Sequence, residues 1–264
     1  MQVIDAHLHL FAPGPESDAM AQAVGHENTT AYLAQYYAAH GISHGIVMTN
    51  QTLHPSFPSF LHYCLGLDQH RIDENTLSCV EENLKSEQCV GIKLYPGYNR
   101  ILVTDPCFDP IYALAAKYHK PVAIHTGMTA HARALLRYCH PLTLDDAAAA
   151  HPDVTFIMCH FGNPFLAEAA AVLEKNPNVY ADLSGLLAGR QDLTAYYHRQ
   201  TGYLSILKSW IAYVDDYRRF LFGTDFPAVN IEEYISFIKH LIPAKHYHTV
   251  FFENANQVYQ LGLE

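Results

Sequence analysis

Residues 3–11 read VIDAHLHLF, an apolar run that carries His7 and His9 two positions apart. Alternate residues of a strand point to one side, so a strand here sends both imidazoles, with Asp5, into one small volume. In a chain with 18 histidines, a single His-x-His is weak evidence of a metal site. Ligands at the ends of later strands decide the matter, and the fold with it.

Counting QVIDA (2–6), the chain has eight apolar runs of strand length. The others are HGIVMT (44–49), HYCLGL (62–67), CVGIKLY (89–95), PVAIH (121–125), VTFIMCH (154–160), VYADLS (179–184) and RFLFGT (219–224). Helical patterns separate most of them. In DPIYALAAKYHK, the residues Ile111, Leu114, Ala115 and Tyr118 recur at three- and four-residue spacing and form one apolar stripe. Thr143 in TLDDAAAAH reads as an N-cap with an acidic first turn, and Pro164 as a first-turn proline behind its cap, Asn163. Residues 11–27 and 50–61 read as loops.

Strands alternating with helices predict a parallel sheet, because parallel neighbours need crossovers. At this length that predicts an α/β protein with a single domain over 1–264, a closed (β/α)8 TIM-type barrel rather than an open sheet. No Gly-x-Gly-x-x-Gly follows any strand, which counts against dinucleotide binding.

Composition narrows the partners. Half of the 264 residues are hydrophobic, enough for one well-filled core. The formal net charge of −10 argues against a nucleic-acid or anionic-membrane surface, since phosphate binding rests on clustered Lys and Arg. No run of about 18 apolar residues is present, and the N-terminus lacks the pattern of a secretory signal. The six cysteines have no Cys-x-x-Cys spacing and read as reduced thiols of a cytoplasmic protein. The expected partner is a small-molecule substrate.

A barrel places its active site at the C-terminal ends of its strands. Read in order, those ends supply His7 and His9, Lys93 in GIKLYPG, His125 in AIHTG, His160 in IMCHFGNP, and Asp225 in GTDFP. Imidazoles and a carboxylate are the ligands expected for zinc and similar divalent ions, with room left for water. A core histidine with one hydrogen bond is the ordinary reading of any one of them. Five strand ends doing so together is not.

This series resembles the amidohydrolase superfamily. IDAHLHL, GIKLYPG, IHTG, CHFGNP, GTDFP and the closing FFENANQVYQL are similar to its amidohydrolase-related (amidohydrolase 2) branch. The resemblance runs over nearly the whole chain and is weakest in 11–30, 50–88 and 185–218. It implies a metal-dependent hydrolase acting on a C–N or related bond of a small molecule. His7, His9 and Asp225 would hold the first ion, often with His125, and Asp225 would carry the proton from water to the leaving group. In two-metal members the lysine at this strand end is carboxylated and bridges the ions. KLYP also resembles the lysine segment of some dihydroorotases, and His125 and His160 would then hold a second ion. In single-metal members Lys93 would instead pair with a substrate carboxylate, and His160 would orient water or substrate. That second pattern belongs to the decarboxylases and hydratases of the branch, which act on small unsaturated or aromatic acids.

Other rim residues carry lesser expectations. Tyr95, Tyr98, Asn99 and Arg100 follow Lys93 and are candidates to bind substrate, as is Asn163 beyond its capping role. Asp182 and Ser184 end the seventh strand, within reach of substrate or of the ligand histidines. His131, His140 and His151 read as surface or structural. Cys159 is expected to face away from the barrel, its neighbour His160 facing in. A TatD-type DNase also has an early His-x-His, but the acidic charge and Lys93, where that group has the glutamate of GEIGLD, count against it. The intact ligand set counts against a catalytically silent barrel. Barrels of this kind are commonly homodimers.

Overall fold

Valine, isoleucine and leucine dominate the apolar runs, and such residues pack well on a pleated surface. The computed structural model describes residues 1–50, 55–67 and 72–264. Its strands are β1 (Val3–Leu8), β2 (Ile42–Met48), β3 (Leu61–Gly66), β4 (Cys89–Leu94), β5 (Val122–Ile124), β6 (Phe156–Met158), β7 (Val179–Asp182) and β8 (Phe220–Leu221). They follow one another in chain order as parallel neighbours. Because β8 is only two residues long, main-chain bonds beyond it close the ring. These run from Ala6 N to Phe222 O, Thr224 N to His7 O, and His9 N to Phe226 O. The architecture is the expected (β/α)8 barrel.

The helices are α1 (Pro15–Ala23), α2 (Thr30–His40), α3 (Glu74–Leu84), α4 (Pro96–Asn99), α5 (Asp109–Tyr118) and α6 (Pro141–Ala150). They continue with α7 (Leu166–Lys175), α8 (Leu193–Arg199), α9 (Thr201–Val214), α10 (Ile231–Leu241) and α11 (Asn254–Val258). Two apolar layers result. Ile4, Ala6, Ile46, Cys64, Val90, Ala123, Ile157 and Leu221 fill the barrel, which Val258 and Tyr259 of the C-terminal segment adjoin. The second layer lies between strands and helices and contains Ile111, Tyr112 and Ala115 of α5; Leu114 and Tyr118 pack partly against it. Among the described residues no helix is long and apolar enough to cross a membrane.

Three local expectations are corrected. Within 11–27 the chain forms α1, with Pro15 in the first turn and Glu16 and Asp18 beside it. Its only fully buried residue is Ala21, so no apolar stripe announces it. Helix α6 begins at Pro141, where the His140 ring accepts from Leu142 N; Thr143 lies inside the first turn and donates to His140 O. Helix α7 begins at Leu166, not behind Asn163, because Phe165 N bonds Gly162 O and closes a turn ahead of it. Of the loop expected over 50–61, residues 51–54 lie outside the described residues.

At the end of the barrel away from the strand C-termini, His44 of β2 and His62 of β3 bring their rings to 5.6 Å, with both Nδ1 atoms buried and unpartnered. Burial holds both imidazoles below their ordinary pKa, and for His62 the charges of His44 and Lys120 add to the effect. The folded state therefore refuses protons that the unfolded chain takes up near pH 6.5. Stability is expected to fall as pH drops below that value. In a His44→Asn/His62→Asn variant, Tm measured from pH 7 to 5 should decline less steeply than in the wild type. Parallel slopes would remove the pair from the acid response.

Candidate metal centre

Strand ends deliver the site. His7 lies in β1 with His9 just beyond it, Lys93 lies in β4, His125 follows β5, His160 follows β6, and Asp225 follows β8. His7, His160 and Asp225 bring ligand atoms within 4.8 Å of one another. His9 Nε2 lies 3.3 Å and His7 Nε2 3.6 Å from Asp225 Oδ1. His125 Nδ1 lies 3.1 Å from His160 Nε2.

The far nitrogen of each imidazole decides what the near one offers. His7 Nδ1 faces Asp182 Oδ2 at 2.8 Å, His9 Nδ1 faces Met48 O at 3.0 Å, and His125 Nε2 faces Met128 O at 3.0 Å. Carboxylates and carbonyls only accept, so each of these nitrogens carries the hydrogen. His160 Nδ1 faces Ser184 Oγ at 2.9 Å, and that hydroxyl donates its own hydrogen to Asp182 Oδ1. His160 Nδ1 is thus a donor too. Four lone-pair nitrogens and a carboxylate therefore converge, acceptor against acceptor, and His7 Nε2 has no hydrogen-bond partner at all. Such a cluster calls for a positive charge at its centre, and its donors suit a divalent ion.

Electrostatics fit that state. Burial holds the His7 imidazole down to about 3, with the charge of Lys93 adding to it, and burial also holds His125 and His160 below their ordinary values. These rings are neutral at physiological pH, as ligands must be.

Two of these candidate ligands sit on left-handed backbone, His160 at φ 62° and Asp225 at φ 65°. Non-glycine residues adopt this region only when their surroundings hold them there. Here Asp182 Oδ1 accepts from His160 N at 2.9 Å, and Asp225 N donates to His7 O at 2.8 Å.

A cavity of about 710 Å³ opens above the cluster, and Tyr95, Tyr98, Asn99 and Asn163 line it. Arg100 is corrected: α4 ends one residue before it, its left-handed backbone (φ 56°) caps that helix, and its guanidinium turns outward to Arg133 O. It does not line the cavity. Asn163 contributes its carbonyl, which accepts from Met128 N at 2.7 Å. His131, expected at the surface, stands on the rim.

Asp5 does not join the histidines. The β1–β2 register shifts between Asp5 and Leu8, so the alternation fails, and Asp5 takes the Tyr37 hydroxyl of α2 and that of Thr224. Cys159 is also corrected: it faces the barrel interior, and the left-handed step at His160 lets both neighbours turn inward. Lys93 is fully buried, and its Nζ donates to Cys159 Sγ at 2.8 Å. Sequence reasoning missed Gly185, Phe11, Met20 and Met128 on the cavity wall. The glycine follows Asp182, the last residue of β7, and the Leu183 and Ser184 after it, which was a usable signal; the apolar wall gave none.

A family model described as amidohydrolase matches residues 63–261. No curated protein matches the chain. Among solved structures, an uncharacterized TIM-barrel protein from Bordetella bronchiseptica is similar, at 20% identity over 100% of both chains with a TM-score of 0.74. An amidohydrolase from Burkholderia multivorans with bound zinc is similar at 16% identity, over 99% of this chain and 100% of that one, with a TM-score of 0.71. The 2,6-dihydroxybenzoate decarboxylase from Rhizobium is similar at 14% identity over 100% of both, with a TM-score of 0.70. At such identities the likeness is one of fold.

Proposed function

The chain belongs to the amidohydrolase family, and we propose that it hydrolyses a C–N or related bond of a small molecule with the help of a single divalent ion. The observation that carries this reading is the set of imidazoles turned acceptor-inward around Asp225. His7, His9, His125, His160 and Asp225 supply the donors, a set that suits zinc. When bound, the ion supplies Lewis acidity and lowers the pKa of its water from about 15.7 toward about 7.

The chain's own residues do the rest. Asp182, Met48 O, Met128 O and Ser184 fix the tautomers, so no ring needs to reorganise during turnover. Asp225 would take the proton from the attacking water and return it to the leaving group, as an ionised carboxylate can. Tyr95, whose hydroxyl donates to Thr49 O, covers the Lys93 amine with its ring at 5.2 Å. Lys93 Nζ is committed to Cys159 Sγ, which supports a structural lysine over a carboxylated bridge. The free cysteines and the net charge of −10 favour a cytoplasmic enzyme whose partner is a small molecule.

Plasma mass spectrometry after expression with zinc and bicarbonate tests this, on the wild type and on Lys93→Ala. About one ion per chain in both is the expected result, with turnover found among lactones, amides and cyclic ureas. Two ions in the wild type, falling to one or fewer in the variant, would establish a bridging lysine instead. No retained ion would end the metal reading. A second reading, decarboxylation or hydration of a small unsaturated or aromatic acid, is favoured by the His125–His160 contact, which sets an acid–base group beside the ion-binding atoms. Release of carbon dioxide from 2-hydroxybenzoates under the same conditions checks it.

A further inference from the structure

Two methionines stand exposed at the mouth of the cavity. Met20 of α1 is 45% exposed, and Met128, in the loop after β5, is 57% exposed. Large apolar side chains gathered around a concave opening are costly in water and mark a place where an apolar partner sits. Methionine is the residue best able to mould itself to different shapes there. Aromatic rings continue the wall down to the ligands. Phe11 stacks on the His9 imidazole, with centroids 5.5 Å apart and planes within 9°, and Tyr98 sets its ring edge-on to His125 at 5.1 Å. Pro227 and Ala228 continue this lining.

The same segments fix the chemistry and the wall together. Met128 holds His125 through its carbonyl while its side chain stands at the opening, and the chain leaving β1 runs from His9 directly to Phe11. A substrate whose reacting group reaches His9, His125 and Asp225 must therefore lay its adjoining substituent against Phe11, Tyr98 and the two methionines. We infer that the site is built for substrates carrying an aromatic or bulky apolar substituent next to the bond that is cleaved. This rests on the hydrolase reading for what happens at that bond, but the apolar mouth itself does not depend on a metal.

Two measurements keep these layers apart. With the methionine methyls labelled with carbon-13, benzamide is titrated against acetamide and the five methyl signals are followed by NMR. Benzamide should shift the Met20 and Met128 signals and acetamide should not; benzamide leaving both unmoved would overturn the inference. In parallel, calorimetry on the zinc-loaded protein compares benzohydroxamate with acetohydroxamate, which share a chelating head and differ in the tail. The phenyl compound is expected to bind about 10- to 100-fold more tightly, as burial of an aromatic ring implies. In a Met20→Gln/Met128→Gln variant that advantage should shrink several-fold while the affinity for acetohydroxamate holds. Both side chains being exposed, the variant should fold. Equal affinities in the wild type would also overturn the inference. If neither hydroxamate binds while benzamide still shifts the two methyls, the mouth stands and the metal reading falls.

Discussion

Asp225→Asn is expected to lower kcat/KM by about a thousandfold on any substrate the enzyme turns over, and to loosen the hold on the divalent ion proposed above. The substitution keeps the shape and removes the chemistry. Asparagine tolerates left-handed backbone better than most residues, so the φ of 65° at this position survives, as does the bond from its amide to His7 O. What changes is the side chain. A neutral amide cannot take a proton from water, and in one orientation it directs N–H groups at atoms meant to coordinate an ion. Steady-state kinetics, metal content and thermal melting together check this. The melting temperature should stay near that of the wild type while turnover and the retained metal content fall. A loss of tenfold or less would show that another group moves the proton.

The second large effect comes from a residue with no side chain. Gly185 has φ +63°, and a Cβ placed on it would lie 2.7 Å from His160 Nδ1 and 3.3 Å from Asp225 Oδ2. Gly185→Ala must therefore push His160 out of line, break its bond to Ser184, or both. Displacements of this size at reacting groups cost about 10²-fold in rate. Left-handed alanine adds a stability cost of about 1–2 kcal/mol. Gly189 separates the two effects. It has φ +74°, but the nearest atom to its Cβ position would be Gln191 Nε2 at 3.8 Å. Gly189→Ala should lose similar stability and keep its activity. Were the two variants equally active, the close packing at Gly185 would have no catalytic meaning.

The strands, and the residues that gather at their C-terminal ends, were legible for a physical reason. Buried parallel strands need unbroken apolar runs, and polar groups that interrupt a run at its C-terminal end stand out against it. His125 after VAI and His160 after FIM stand out in this way. What could not be read depends on departures from regular backbone. The register shift after Asp5 and the left-handed step at His160 each overturn an alternation argument, and neither leaves a mark in the local residue pattern. The tautomers were hidden as well, because three of the four are set with help from main-chain carbonyls (Met48, Met128 and Ser184) that carry no residue-type signal. Helix α1 escaped notice because it buries almost nothing, although it brings Met20 to the cavity.

The seam between β1 and β8 also decides when this centre comes into being. Asp5 and Thr224, 219 positions apart, are hydrogen-bonded across it, and His7 and Asp225 are their close neighbours in the chain. No six or seven strands consecutive in the chain contain both His7 and Asp225. Drawing such a loop shut costs roughly 5 kcal/mol beyond a constant, because the entropy grows only with the logarithm of length. An ion held by His7 and Asp225 together would oppose that entropy and hold the first and last strands together as a clasp would. A donor set that includes both His7 and Asp225 is complete only when the ring has closed, so a nascent chain still short of residue 225 lacks one of its members.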